Sequence, residues 1–130
     1  MRFDTQTALA LEAASDGGRI TLDGGLVWLS RMDKELGLCE AISECVEEWR
    51  KRKGHHSLAS LVKQRVFQIA SGYEDQNDSD TLRQDPLLKM VCGSVPDGGP
   101  DLASQPTICR LENAASMRSC HQIAQVLFEL

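Results

Sequence analysis

The spacing of apolar residues constrains the fold of this chain more than any other feature. From Gly25 onward they recur at steps of three and four residues, the period of an amphipathic α-helix. The first two stripes predict helices over residues 25–36 and 38–50, with Gly37 between them as a helix terminator. The acidic residues of both segments fall on the polar faces, so we interpret them as solvated side chains and not as catalytic pairs.

The longest apolar stripe begins after Ser57 and ends at Gly72. It predicts the strongest helix of the chain, over residues 57–71, with Ser57 as its cap. We expect this helix to be the central strut of the fold. Its apolar side is predicted to contain Leu58, Leu61, Val62, Val66, Ile69 and Tyr73.

Shorter helices are predicted in the remainder of the chain. One is expected around residues 79–84, and Asp85-Pro86 is typical of a helix start, with a capping side chain followed by proline. After a loop over residues 93–103, Ser104 is expected to cap another helix, and a last apolar stripe begins at Met117. The sequence therefore predicts a mainly α fold of about six helices.

The amino-terminal segment has a different pattern. Residues 7–13 alternate small polar and apolar side chains, residues 19–22 are β-prone, and Asp16-Gly17 is typical of a tight turn. We therefore predict a small amino-terminal β-hairpin as an appendage over residues 1–24, followed by a helical domain over residues 25–130.

Charge and cysteine content limit the classes of function. The chain has a formal net charge of −5, and an acidic protein repels duplex DNA at long range. Its five cysteines are widely spaced and odd in number, and neither a signal peptide nor a membrane-spanning apolar run is found. We therefore expect a cytoplasmic protein with free thiols and no membrane partner.

No sequence motif indicates a metal, a cofactor or a catalytic centre. The segment 75–78 resembles the start of a calcium loop, but Asp80 and Pro86 stand where that loop needs glycine and glutamate. The pairs His55-His56 and Cys120-His121 lack the spacing of a zinc site. We therefore predict no metal, no cofactor and no catalytic residue.

One dense cationic segment, Arg50–Lys53, remains as a candidate binding site. It is either a helix terminus with a solubilising loop or a set of phosphate contacts to DNA, and both readings stay open. The helix after Ser104 also carries residue types suited to base edges, but the loop before it, about ten residues long, exceeds that of a helix-turn-helix and favours structural packing. The candidate nucleic-acid-binding residues are Arg50, Lys51, Arg52, Lys53, Lys63, Arg65 and Arg110.

Short motifs follow one another along nearly the whole chain. They are Gly-Gly-Arg-Ile-Thr (17–21), Asp-Gly-Gly-Leu (23–26), Asp-x-x-Leu-Gly-Leu (33–38), His-Ser-Leu (56–58), Gln-Arg-Val (64–66), Gly-Tyr-Glu-Asp-x-Asn-Asp (72–78), Leu-Arg-x-Asp-Pro (82–86), Ser-Gln-Pro-Thr (104–107) and Arg-Leu-Glu-Asn-Ala (110–114). In this order and spacing they make the chain resemble the amino-terminal region of bacterial insertion-sequence transposases of the DDE type.

The resemblance implies an RNase H-like catalytic core whose three metal-binding carboxylates lie beyond Leu130, and hence a helical front end that is not itself an enzyme. This region is expected to bind the transposon end or to assemble the synaptic complex. Its implied partners are transposon-end DNA, a second copy of the chain and the catalytic domain of the parent transposase.

Two other functions stay open. One is a protein-interaction or dimerisation module with no direct DNA contact, and the other is a repressor that competes for transposon ends. Separation from the catalytic domain is expected to expose apolar surface on the hairpin or the last helix, and self-association through that surface is our hypothesis.

Overall fold

The computed structural model describes residues 2–3, 11–12, 20–52 and 54–130, and this part of the chain is mainly helical, as predicted. The α-helices are α1 (Leu26–Leu36), α2 (Leu38–Cys45), α3 (Leu58–Ala70), α4 (Ser79–Leu82), α5 (Pro86–Val91), α6 (Gln105–Ala114) and α7 (Met117–Glu129), with a 3-10 helix (Gln76–Asp78) before α4. Two short strands, β1 (Arg2–Phe3) and β2 (Leu11–Glu12), pair antiparallel, with Arg2 opposite Glu12.

The structure does not support the predicted hairpin that turns at Asp16-Gly17. Residues 20–22 are the described part of its second strand, and they are irregular. Their polar groups bind a side chain instead of a neighbouring strand: the Thr21 hydroxyl and the Leu22 amide each donate to the Asp85 carboxylate at 2.8 Å. The turn itself lies outside the described residues.

Glycines and capping side chains end most helices where the sequence predicts. Gly37 separates α1 from α2 with a φ of +67°, and Gly72 follows α3 with a φ of +93°, a region that favours glycine. The Ser57 hydroxyl accepts the Ser60 amide at the start of α3, at 3.1 Å. Asp85 accepts the amides of Leu87 and Leu88 at the start of α5. These boundaries depend on local chemistry, which explains why the sequence is sufficient to locate them.

The second helix is shorter than predicted. Helix α2 ends at Cys45, and Val46 has extended backbone angles (φ −101°, ψ 123°), so the prediction of a helix over residues 38–50 is wrong beyond Cys45. Val46 is buried and Trp49 packs against the same core. Long-range packing, and not a local stop signal, ends this helix. Residues 50–52 of the basic segment are consequently irregular and do not form a helix terminus.

Helix α3 lies between two cores, in keeping with the central position expected for it. Phe67 belongs to the first core, whereas Leu61 and Val62 belong to the second. The other members of the first core are Leu26, Cys39, Leu82, Leu87, Leu88, Met90, Val91 and Leu102, and those of the second are Ile42, Val46, Ala103, Ile108 and Leu111. Within the described chain, no helix has the length and apolar character needed to cross a membrane.

The apolar face predicted for α3 is only partly correct. The predicted buried side includes Ile69, but this residue is exposed, while the polar residues Gln64, Arg65 and Gln68 are buried. Buried polar groups need hydrogen-bond partners, so their contacts show which parts of the chain α3 holds in place.

Candidate nucleic-acid interface and the motif network

Arg50 fixes the loop that carries the basic segment. Its guanidinium donates to both carboxylate oxygens of Glu48, at 2.7 and 2.6 Å, and to the His56 carbonyl at 2.6 Å. It also lies 5.4 Å from the ring centre of Trp49. A guanidinium held in this way braces the two ends of the loop, and Glu48 compensates much of its charge.

Lys51 and Arg52 are the exposed cations of this loop. Both side chains are exposed, and neither makes an ion pair or hydrogen bond among the described residues. Lys53, the fourth predicted contact, lies outside the described residues. The folded loop therefore projects cations that are available to an anionic ligand.

Arg83 extends the basic surface beyond the residues predicted from sequence. Desolvation lowers the pKa of His56, and electrostatic effects of the nearby His55, Arg83 and Arg50 lower it further. Arg83 has a weak ion pair with Asp101 at 3.7 Å. Arg83 lies in the Leu-Arg-x-Asp-Pro motif, where only the capping role of the aspartate attracts attention in the sequence.

Lys63 and Arg65, both predicted DNA contacts, bind other parts of the protein. Lys63 pairs with Asp33 at 3.4 Å and lies 5.5 Å above the Phe67 ring. The same Asp33 accepts the Cys39 amide at 2.7 Å, so this contact joins α3 to the junction of α1 and α2.

Arg65 is the more deeply buried of the two, with 9% of the residue exposed. It pairs with Glu112 on α6 and donates to the carbonyls of Tyr73 and Glu74, at 3.1 and 2.6 Å. One guanidinium thus joins α3, the turn after it and α6. Of the predicted set, Arg110 is exposed on α6.

The Gln-Arg-Val motif also joins distant segments through its glutamine. The Gln64 side chain, 1% exposed, donates to the Ala103 carbonyl and accepts the Ala103 amide, both at 2.9 Å. The Gln64 amide group thus pairs with the backbone of Ala103 as a neighbouring strand would, and it holds the chain in place just before α6.

Other motif residues form similar contacts. Ser79 donates to the buried Gln68 at 3.1 Å, and Asp80 accepts the Gln105 amide at the start of α6, at 2.9 Å. The Tyr73 hydroxyl bonds to Asp23, which raises the pKa of Tyr73. The signature around residues 72–78 and the neighbouring motifs therefore hold turns and helix ends together.

No grouping of three or more histidine, cysteine, aspartate or glutamate side chains in the described chain could hold a metal ion. All five cysteines are free thiols. Burial raises the pKa of Cys92 to about 12 and also raises that of Cys39, where the Asp33 carboxylate adds to the effect. Both thiols therefore stay protonated at neutral pH and are poor nucleophiles.

Comparison with known protein families gives one match over nearly the whole chain. A family model described as "Transposase DDE domain group 1" matches residues 3–130. Comparison with curated proteins and with solved structures finds no match. The match includes every motif that forms the network around α3.

Proposed function

Because this chain belongs to the transposase DDE domain group 1 family, and so has a role in DNA transposition, we propose that it contributes to binding of the transposon end. The contact is made by the loop between α2 and α3. Lys51, Arg52 and Lys53 bind phosphates, while Arg50 holds the loop in shape. These residues position the DNA backbone and carry little sequence information.

The observation that supports this proposal is the division of the cations into two groups. Lys63 and Arg65 are engaged in pairs within the fold, whereas Lys51 and Arg52 are exposed without partners in the described chain. Arg83 lies beside the same loop and adds positive charge, while the lowered pKa of His56 keeps the neighbouring imidazole neutral to lower pH. An overall acidic protein with one local cationic loop is suited to contacting a few phosphates and not to enclosing a duplex.

On this proposal the described residues hold DNA and do not cleave it. Metal-assisted strand transfer needs carboxylates arranged around metal ions, and no such grouping is found in the described chain. We expect purified protein to leave supercoiled and end-containing DNA intact in the presence of magnesium or manganese. Nicking that is abolished by changing one of its own acidic side chains would contradict this assignment.

A gel-shift titration tests the DNA contact. The probes are a duplex carrying the inverted repeat that flanks the coding sequence and a scrambled duplex of equal length. Affinity should fall as salt rises, and Lys51→Ala with Arg52→Ala should weaken binding on the order of tenfold and lower the salt slope by about two.

Arg31→Ala with Lys34→Ala is the matched control. These changes remove the same charge from the exposed side of α1, where Arg31 faces Glu35 at 3.8 Å. The control pair should bind DNA like the parent protein. Equal losses in both pairs would show that total charge, and not the loop, governs binding.

A second candidate function is a protein-interaction or dimerisation module with no direct DNA contact. The net charge of −5 and the exposed apolar residues of α7 favour it. Absence of any gel shift at low salt, together with a concentration-dependent dimer, would support this function and exclude the first.

A further inference from the structure

The last helix presents apolar side chains to solvent. Met117 is 86% exposed, Phe128 92% and Leu127 57%. Ala124, Cys120 and His121 are also exposed on this helix. Helix α7 packs on the rest of the protein through a different side, where Ser119 is buried and Ile123 contacts the second core.

Four of the exposed residues form one stripe along the helix. Met117, His121, Ala124 and Phe128 are separated by four, three and four residues, so they fall within about 60° of one another around the helix axis. Ser119 and Val126 lie on the opposite side. The stripe therefore points away from the domain along the whole length of α7, and its two ends carry large exposed apolar side chains, Met117 and Phe128, of the kind that marks an interaction site.

We propose that the occupant of this stripe is α7 of a second copy of the chain, packed antiparallel about a two-fold axis. The order of residues along the stripe is nearly symmetric about its centre, between Gln122 and Ile123. An antiparallel pair consequently places Met117 against Phe128 of the second copy and His121 against Ala124 of the second copy. The large side chains Met117 and Phe128 then contact each other at the two ends of the interface, and the smaller Ala124 contacts His121 near its centre. Such matching is what a self-complementary interface requires.

The charges beside the stripe specify the antiparallel direction. Arg118 and Glu129 lie on the same flank of α7 at its opposite ends, and neither has an ion-pair partner within the described part of its own chain. A two-fold antiparallel arrangement brings each Arg118 near Glu129 of the second copy. A parallel two-fold arrangement would place the charged flanks of the two copies on opposite sides of the contact, so neither Arg118 would meet a Glu129.

The size of the stripe sets the strength of the contact. A helix of 13 residues is about 20 Å long and offers a face roughly 10 Å wide, well below the roughly 800 Å² per partner of a standard stable interface. The dimer is therefore weak, with dissociation expected in the range of tens to hundreds of micromolar.

Sedimentation velocity over a wide concentration range tests this inference. The parent protein should shift from monomer to dimer, and Phe128→Glu should weaken association at least tenfold. Met32→Glu, on the exposed side of α1 where Met32 is 56% exposed, is the matched control and should leave association unchanged. Circular dichroism of each variant verifies that the helices are retained.

Charge reversal tests the direction of packing. Arg118→Glu and Glu129→Arg should each weaken the dimer, and the double variant should restore it. A parent protein that stays monomeric, a dimer lost with Met32→Glu instead of Phe128→Glu, or a double variant without recovery would each overturn the proposal. None of these residues lies in the basic loop, so failure here leaves the proposed DNA contact untouched, and failure of the gel shift leaves the dimer untouched.

Discussion

Arg65 makes contacts within the fold that the sequence does not indicate. Its buried guanidinium binds Glu112 and two main-chain carbonyls, so a substitution leaves those acceptors unsatisfied. We expect Arg65→Met to lower the free energy of unfolding by about 2–4 kcal/mol, measured by urea denaturation. Arg65→Lys should recover little, because an ammonium group cannot reach three acceptors in a fork.

The opposite result would support the prediction that Arg65 contacts DNA. If Arg65→Met unfolded within about 0.5 kcal/mol of the parent and yet lost affinity for the transposon end, the guanidinium would be acting on phosphate and not on the turn.

A separate prediction concerns His56 and the dependence of protein stability on pH. Its pKa in the folded protein is lowered from the ordinary value of 6.5, so the unfolded chain binds the proton more strongly. Stability from this group is complete above the unfolded pKa and is lost as the pH falls toward the folded pKa. Thermal melting between about pH 7.5 and 5.5 should show a smaller loss for His56→Gln than for the parent. His121→Gln, at an exposed position, should follow the parent, and equal slopes in all three proteins would contradict the assignment.

At the scale of elements, Asp85 joins the segment before α1 to the start of α5. One carboxylate accepts the Thr21 hydroxyl and the Leu22 amide on one side and the Leu87 and Leu88 amides on the other. Asp85→Ala should therefore cost about 2–3 kcal/mol and speed hydrogen exchange at all three amides.

Thr21→Val separates the two roles of Asp85. It removes the hydroxyl contact but keeps the cap, so exchange should rise near Leu22 and stay slow at Leu87 and Leu88. Unchanged exchange near Leu22 in both variants would show that Asp85 does not hold this segment.

Helix ends that depend on neighbouring residues could be predicted from the sequence. Helix ends and burial that depend on contacts with residues far along the chain could not. Helix ends can be located from Gly37, Ser57 and the Asp85-Pro86 pair, because each of these acts on backbone groups only a few positions away in the sequence. The end of α2 and the burial of Gln64 and Arg65 depend on partners far along the chain, 39 residues away for Ala103 and 47 for Glu112. Periodicity alone assigns polar residues to solvent and apolar residues such as Ile69 to the core, whereas the structure buries Gln64 and Arg65 and exposes Ile69.

At the scale of the whole molecule, the two cores share α3 and so are expected to unfold together. Phe67 fills the first core and Leu61 the second, and Val66 packs against both. Both cores pack against α3, so neither core stays packed when α3 separates from it. Unfolding of one core is therefore expected to unfold the other. Cooperative unfolding of this kind would make the region a rigid support for whatever binds the loop or α7.

The two cores can be monitored separately. Trp49 packs against the second core, so a Trp28→Phe background leaves one fluorophore that reports on that core. In this background Phe67→Ala, a change in the first core, should lower stability by about 3–5 kcal/mol. The transition followed by Trp49 should shift together with the helical signal in circular dichroism. Separate transitions, with Trp49 unaffected by Phe67→Ala, would show that the cores are independent and that α3 does not couple them.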